Sequence, residues 1–272
     1  MNAVVDLPEG FRLYRYESVG STNDEAKALA RTGAVDGTLV WASEQRAGRG
    51  RRGRVWHSPP GNLYLSLLLR PDTPPARAAQ LSFVAALGLG DALLALTGPD
   101  LRLGYKWPND LLAGGKKLAG ILLEAECGAG GIEFVVIGAG VNIAAAPAGT
   151  EYPATSLAAE GFPGITPVLL LENFVRCFAA WRRRWRDEGF SPLRAAWLTR
   201  ASGLGEPIRV RLDRATFDGI FVDLDTAGAL LLEGADGRCR IAAGEVFPLH
   251  VAEEDGAWRD ARRLSPASFQ SC

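Results

Sequence analysis

Gly48-Arg49-Gly50-Arg51-Arg52-Gly53-Arg54 decides how this chain is read. Its glycines match the pattern GxGxxG, which in a dinucleotide-binding fold links a strand to the helix that follows. A strand does precede it, Thr38 to Ser43. Val55-Trp56-His57-Ser58-Pro59-Pro60-Gly61 follows, a poor start for a helix. The dinucleotide reading therefore fails on context. Gly138-Ala139-Gly140 and Gly88-Leu89-Gly90 lack the third glycine, and Gly114-Gly115-Lys116-Lys117 lacks the spacing and the hydroxyl of a P-loop. What remains is a long loop, Glu44 to Asn62, whose Arg46, Arg49, Arg51, Arg52 and Arg54 crowd together. Guanidinium forks grip phosphate or carboxylate in a bidentate manner, and glycine lets the backbone approach the ligand. Mutual repulsion predicts a loop that stays mobile until an anion orders it. From the loop alone, a solvated charged segment or an RNA-contacting arginine/glycine segment is equally open.

Working outward, Phe11 to Glu17 reads as a first strand. Ser21-Thr22-Asn23-Asp24-Glu25 starts a helix, with Thr22 and Glu25 at capping-box spacing and Gly33 as its stop. Leu63 to Leu69 is a buried strand, Ala76 to Leu96 a long apolar helix, and Leu101 to Trp107 a strand ended by Pro108. Ile121 to Glu126 and Ile132 to Ile137 flank a glycine turn as a hairpin. Pro167 to Glu188 is a helix capped by Thr166, and a short helix runs from Pro192 to about Ala201. After Gly203 the pattern changes to short strands, Ile208 to Leu212, Thr216 to Leu224, Ala229 to Glu233 and Arg238 to Ile241. They predict a small barrel. The expected division is a main domain over 1–202, a barrel over 203–251 and a flexible tail over 252–272.

The balance of 30 basic and 31 acidic residues excludes a general nucleic-acid coat protein. Cys127, Cys177, Cys239 and Cys272 stand far apart, so no disulfide framework is implied, and a cytoplasmic location fits. With only His57 and His250 as histidines, no metal site is assigned. The N-terminus does not read as a signal peptide, and no unbroken apolar run is long enough to span a membrane.

Two more segments can carry chemistry. Lys106-Trp107-Pro108-Asn109-Asp110 sits where a strand ends, a common place for ligand-binding groups. Lys117 precedes a buried-looking strand that would hold its stem rigid; otherwise the segment is an ordinary turn with exposed lysines. Ser21-Thr22-Asn23 is either only a helix cap or a row of spare donors and acceptors, with Gln45 to add to them. Asn142 follows a buried strand as a turn residue or a ligand contact. In the helix around Trp181-Arg182-Arg183-Arg184-Trp185-Arg186, the two tryptophans with Phe174 and Phe178 face the core and the arginines face solvent.

Taken together, Ser21-Thr22-Asn23, Gln45 with Gly48 to Arg54 and Trp56, Gly61-Asn62-Leu63-Tyr64, Lys106 to Asp110, Lys117-Leu118-Ala119-Gly120-Ile121 and Gly138-Ala139-Gly140-Val141-Asn142 resemble the biotin–protein ligase family. They stand in the family's order and spacing, and the likeness runs from about residue 11 to 250. The resemblance implies an α/β (α+β) fold: a mixed sheet flanked by helices, like the class II aminoacyl-tRNA synthetases, with a small SH3-like barrel after it. It implies biotin and ATP, with Mg2+, as substrates. Biotinyl-5′-AMP forms and then acylates a lysine of a biotin carboxyl carrier protein, as in acetyl-CoA carboxylase.

By the same resemblance Lys117, Arg51 and Arg49 are catalytic. Ser21, Thr22, Asn23, Gln45, Arg49, Gly50, Arg51 and Lys117 hold biotin. Arg51, Arg54, Trp56, Asn109, Asp110, Lys117 and Asn142 meet ATP. Some members carry an N-terminal helix-turn-helix and repress transcription. Only about ten residues precede the first strand here, so no operator binding is expected, nor a membrane; a homodimer stays open. Lipoate ligases share the fold without this arginine loop, which makes lipoate or octanoate the second-choice substrate. An arginine/glycine RNA-binding protein and an inactive biotin-responsive scaffold are the non-enzymatic alternatives.

Overall fold

A computed structural model describes residues 5–235 and 237–249 and the backbone of 270–271. In chain order the main elements are β1 (Arg12–Val19), α1 (Thr22–Arg31), β2 (Thr38–Gln45), β3 (Leu63–Leu69), α2 (Pro75–Ala78), α3 (Leu81–Thr97), β4 (Leu103–Lys106), β5 (Asp110–Ala113), β6 (Lys116–Gly128), β7 (Gly131–Val141), α4 (Pro167–Glu188), α5 (Ser191–Leu198), β8 (Pro207–Arg211), β9 (Thr216–Leu224), β10 (Leu230–Gly234), β11 (Gly237–Ile241), β12 (Glu245–Pro248) and β13 (Gln270–Ser271). The first seven strands form one mixed sheet in the order β1-β2-β3-β7-β6-β5-β4. In this sheet, among the described residues, only β1 and β2 are parallel, and α1 supplies the crossover that a parallel pair requires.

β3 shows why the sheet is covered on both faces. All seven of its residues are buried. Leu63, Leu65, Leu67 and Leu69 point into the main core beneath α3 and α4, while Leu68 packs with Ala26 and Ala30 of α1. That period-two split is what an apolar run needs in a central strand. α3 is buried nearly all round. A Cβ on its Gly88 would stand 2.9 Å from the Phe178 backbone, so the two helices cross at glycine contact. The stretch Pro75–Asp100 is apolar and long enough to cross a membrane, but two-thirds (67%) of its apolar window is buried inside the protein. Its composition serves the core. α4 largely follows the sequence reading: Phe174, Phe178 and Trp185 are buried, and Arg183, Arg184 and Arg186 are exposed, but Trp181 is only half-buried and Arg182 is drawn in to Asp36 at 2.7 Å.

β8 to β13 form a second sheet in the order β12-β8-β9-β10-β11-β13. Its inner residues, among them Ile208, Val210, Phe221, Leu230 and Val246, belong to the same apolar cluster as the main core. Trp197 of α5 joins the two, stacked 5.9 Å from Tyr105 and edge-on to Phe83 and Phe221. Two short strands, β5 and β12, were not foreseen. Of the tail expected to be flexible, residues 252–272, only β13 falls within the described residues. Cys127 and Cys177 are free, and Cys239 is disulfide-bonded, a bridge that isolated cysteines could not announce.

Candidate active site

The arginine loop between β2 and β3 folds back on itself. Trp56 N–H donates to Gly48 O at 2.9 Å and Gly50 N–H to Arg54 O at 2.7 Å, and Arg49 bridges to Val55. Arg51–Gly53 makes one tight turn, with Arg52 in the left-handed region at φ 56°. A Cβ on Gly48 would meet Ser58 Oγ at 2.5 Å and Trp56 O at 2.7 Å, so only glycine lets the loop close there.

The repulsion expected among these arginines is offset, because the protein supplies an acceptor for each of four guanidiniums. Arg49 takes Asp24 through two bonds of 2.6 Å and reaches Glu124 at 3.3 Å. Arg51 donates to Asn109 Oδ1 at 3.3 Å and Gly244 O at 3.1 Å. Arg52 pairs with Asp213 at 3.2 Å, and Arg54 pairs with Glu245. Asp24 holds the Arg49 pKa well above its ordinary value, whereas burial lowers that of Arg51.

Beside the loop lies a cleft of about 320 Å³, at the low end of small-molecule sites. Every residue put forward from the sequence, from Ser21 to Asn142, lines it. One wall is the start of α1. Ser21 is the cap residue, but no side-chain capping bond forms, and the Thr22–Glu25 capping box is absent. The Thr22 hydroxyl is drawn instead to partners remote in sequence. Thr22 N–H and Oγ–H both donate to Gln45 Oε1, at 2.9 and 3.0 Å, and Gln45 Nε2 donates to Ser58 Oγ at 3.0 Å. Ser66 Oγ stands 2.8 Å from Thr22 Oγ1 and 2.5 Å from Asn23 Oδ1. Asn23 Nδ2 donates to Glu124 Oε2 at 2.6 Å. Both ends of the Asn23 amide are thus bonded within the protein, while the Ser21 hydroxyl makes no bond among the described residues.

This wall rests against β7, where a Cβ on Gly138 would stand 2.4 Å from Asn23 Oδ1. Overpacking of this kind costs about 1–3 kcal/mol. Gly138→Ala is therefore expected to lower stability by that amount in urea unfolding. A neutral result would mean the amide is not pressed on β7.

The facing wall is built on β4, β5 and β6. Lys106 and Asp110 are register partners across β4 and β5. Asp110 is buried between two ammonium groups, Lys117 Nζ 2.8 Å from Oδ1 and Lys106 Nζ 3.1 Å from Oδ2. Burial alone would raise its carboxyl; Lys117 and Lys106 outweigh it and hold the pKa below the ordinary value. Burial draws the Lys106 ammonium down, against the pull of Asp110. Lys106 also lies 4.2 Å from the Tyr152 ring. The Lys117 backbone is fixed by Pro153 O at 2.7 Å and Thr155 N–H at 2.9 Å.

Asn109 accepts from Arg51 and donates to Ile121 O at 2.6 Å; Asn142 donates to Thr155 O at 3.1 Å. Trp56 lies flat on the sheet. A Cβ on Gly140 would meet its indole at 2.5 Å, and one on Gly120 at 3.1 Å. Its Nε1 is buried with no hydrogen-bond partner among the described residues.

Residues 16–142 match the Biotin/lipoate A/B protein ligase family, and residues 203–247 the biotin protein ligase C terminal domain. A biotin–[acetyl-CoA-carboxylase] ligase of Paracoccus denitrificans is 48% identical over 84% of this chain and 96% of its own length. The chain belongs to the biotin protein ligase family. A bifunctional ligase/repressor BirA of Bacillus subtilis is 35% identical, and the match spans 87% of this chain and 74% of BirA. Among solved structures, the biotin protein ligase from Aquifex aeolicus in complex with biotin and ATP superposes with a TM-score of 0.74 at 26% identity. That match covers 87% of this chain and 97% of that one. The Leishmania major ligase in complex with biotinyl-5-AMP gives 0.61 at 25% identity, covering 88% and 99%.

For this family member, the structure adds residues that the sequence did not put forward as site residues. Ser66 had a signal, a lone hydroxyl inside an apolar strand. Glu124, Tyr152 and Glu245 had none, since each becomes part of the site only through partners remote in sequence.

Proposed function

We propose that this protein activates biotin with ATP and transfers it to a lysine of a biotin carboxyl carrier domain. One observation carries the reading: the Lys106–Asp110–Lys117 group and the polar wall of α1 face one cleft beneath the arginine loop. A carboxylate must approach the α-phosphate of ATP although both are anions. Lys117 and Arg51 offset that repulsion and the charge that builds as pyrophosphate leaves.

In this reading Ser21, Thr22 and Gln45 hold the polar ring of biotin, and Gly50 with Arg49 meets its carboxylate. Asn23 acts by orienting Thr22 and Ser66. Trp56, Arg54, Asn109, Asp110 and Asn142 border the nucleotide. In the second step the carrier amine attacks the acyl carbon and AMP departs towards Lys117. The closed loop keeps water from the mixed anhydride. Mg2+ enters with the nucleotide as part of the substrate. Asp110, the buried carboxylate of the cleft, has both oxygens occupied by lysines. The reaction is placed in the cytosol, the compartment that the sequence reading favours.

The test incubates the protein with biotin, MgATP and an apo carrier domain and reads the carrier mass. A biotin increment on one lysine is expected. Transfer of lipoate or octanoate in place of biotin would overturn the substrate assignment.

A further inference from the structure

Arg211 ends β8, outside the cleft. Its guanidinium makes two bonds to Glu151, 2.7 and 2.8 Å, and one to Glu245 at 2.9 Å, and it stands 4.6 Å from the Phe247 ring. Each carboxylate leads to a different half of the site. Glu245 also holds Arg54 of the arginine loop, and the neighbouring Gly244 O holds Arg51. Glu151 precedes the segment that fixes both lysines: Tyr152 covers Lys106, and Pro153 and Thr155 pin the backbone of Lys117.

We propose that Arg211 is a positioning residue that couples closure of the arginine loop to the seating of Lys117 and Lys106. The proposal rests on the reading above, in which the loop and Lys117 act on one phosphate. Isolated exposed ion pairs contribute little, but bidentate geometry and shared partners are the exception. The Glu245 side chain is only 11% exposed and lies between two guanidiniums. Its backbone is fixed too, since a Cβ on Gly244 would meet Val210 Cγ1 at 2.8 Å. Arg211 therefore links the segment of Glu151 directly, and the arginine loop through Glu245 of β12, two loops that otherwise share no direct ion pair among the described residues.

The arginine loop provides its own reporter, because trypsin cuts after exposed arginines. Arg211→Met, in the full chain, is expected to speed trypsin cleavage between Arg49 and Arg54 roughly tenfold without ligand, the size of effect usual for contacting pairs. The KM for ATP should rise by a similar factor with kcat within about twofold. Glu151→Gln should raise the KM for ATP while leaving loop cleavage slow, and Glu245→Gln should change both. Arg211→Lys should recover only part of each effect, since one ammonium cannot reproduce the fork.

Loop cleavage and KM both unchanged in Arg211→Met would overturn the coupling. So would a fall in Tm of more than about 5 °C accompanying faster cleavage, because that marks general loosening. The proteolysis needs no ligand, so it stands apart from the function itself. An unsubstituted protein that transfers no biotin would sink the functional reading, while the cleavage rates would still decide whether Arg211 holds the loop.

Discussion

Lys117→Ala is expected to slow biotinyl-adenylate formation by about 10²–10³-fold, the loss seen when one preorganised charge-stabilising donor is removed. The site geometry makes the effect larger than that of a lost contact. Lys117 and Lys106 share one buried carboxylate. With both present the group is net positive and attracts phosphate. With Lys117 gone, Asp110 and Lys106 cancel, and the attraction falls to that of the arginine loop. Some loss of stability is expected too, because Asp110 Oδ1 loses its ion pair, although the backbone bonds to Pro153 and Thr155 remain. Rapid-quench measurement of adenylate and pyrophosphate, with Tm alongside, separates the two. A native rate of adenylate formation would remove Lys117 from the chemistry.

Arg51→Gly should act on retention more than on formation. Its guanidinium ties the loop to Asn109 on one side and to Gly244 of the second sheet on the other. Bonds to charged groups contribute about 1.5–3 kcal/mol each, so losing both should speed release of the adenylate about 10²–10⁴-fold. Released mixed anhydride acylates any accessible amine, and bystander lysines in a mixed protein sample should become biotinylated. If labelling stays confined to the carrier domain, the loop does not seal the cleft through Arg51.

The parts of this molecule that were legible in its sequence are those governed by short-range chemistry. The helix Pro167–Glu188 came out residue for residue because its cap is local, with Thr166 accepting from Leu169 N–H. The Leu63–Leu69 strand was plain from its unbroken apolar run. The cleft residues were found because the motifs that contain them are short and specific in combination. What was lost is non-local. β5 and β12 have four residues each and exist only through their neighbours. The capping box had the right spacing, yet Thr22 is taken by Gln45, 23 positions away. The loop's ion pairs were out of reach for the same reason, since Arg54 finds its carboxylate 191 positions later.

Trp197 has a bearing on ancestry and exchange. It touches Tyr105 and Phe83 on one side and Phe221 on the other, and Trp107 donates across the same seam to Gly228 O at 3.0 Å. Any recombination at the boundary suggested by the sequence, near Ser202, would cut through an aromatic core rather than a linker. A foreign second half would have to bring a surface shaped to that indole, or leave it bare to water. The two parts can drift in their loops, but along this seam they must be inherited together.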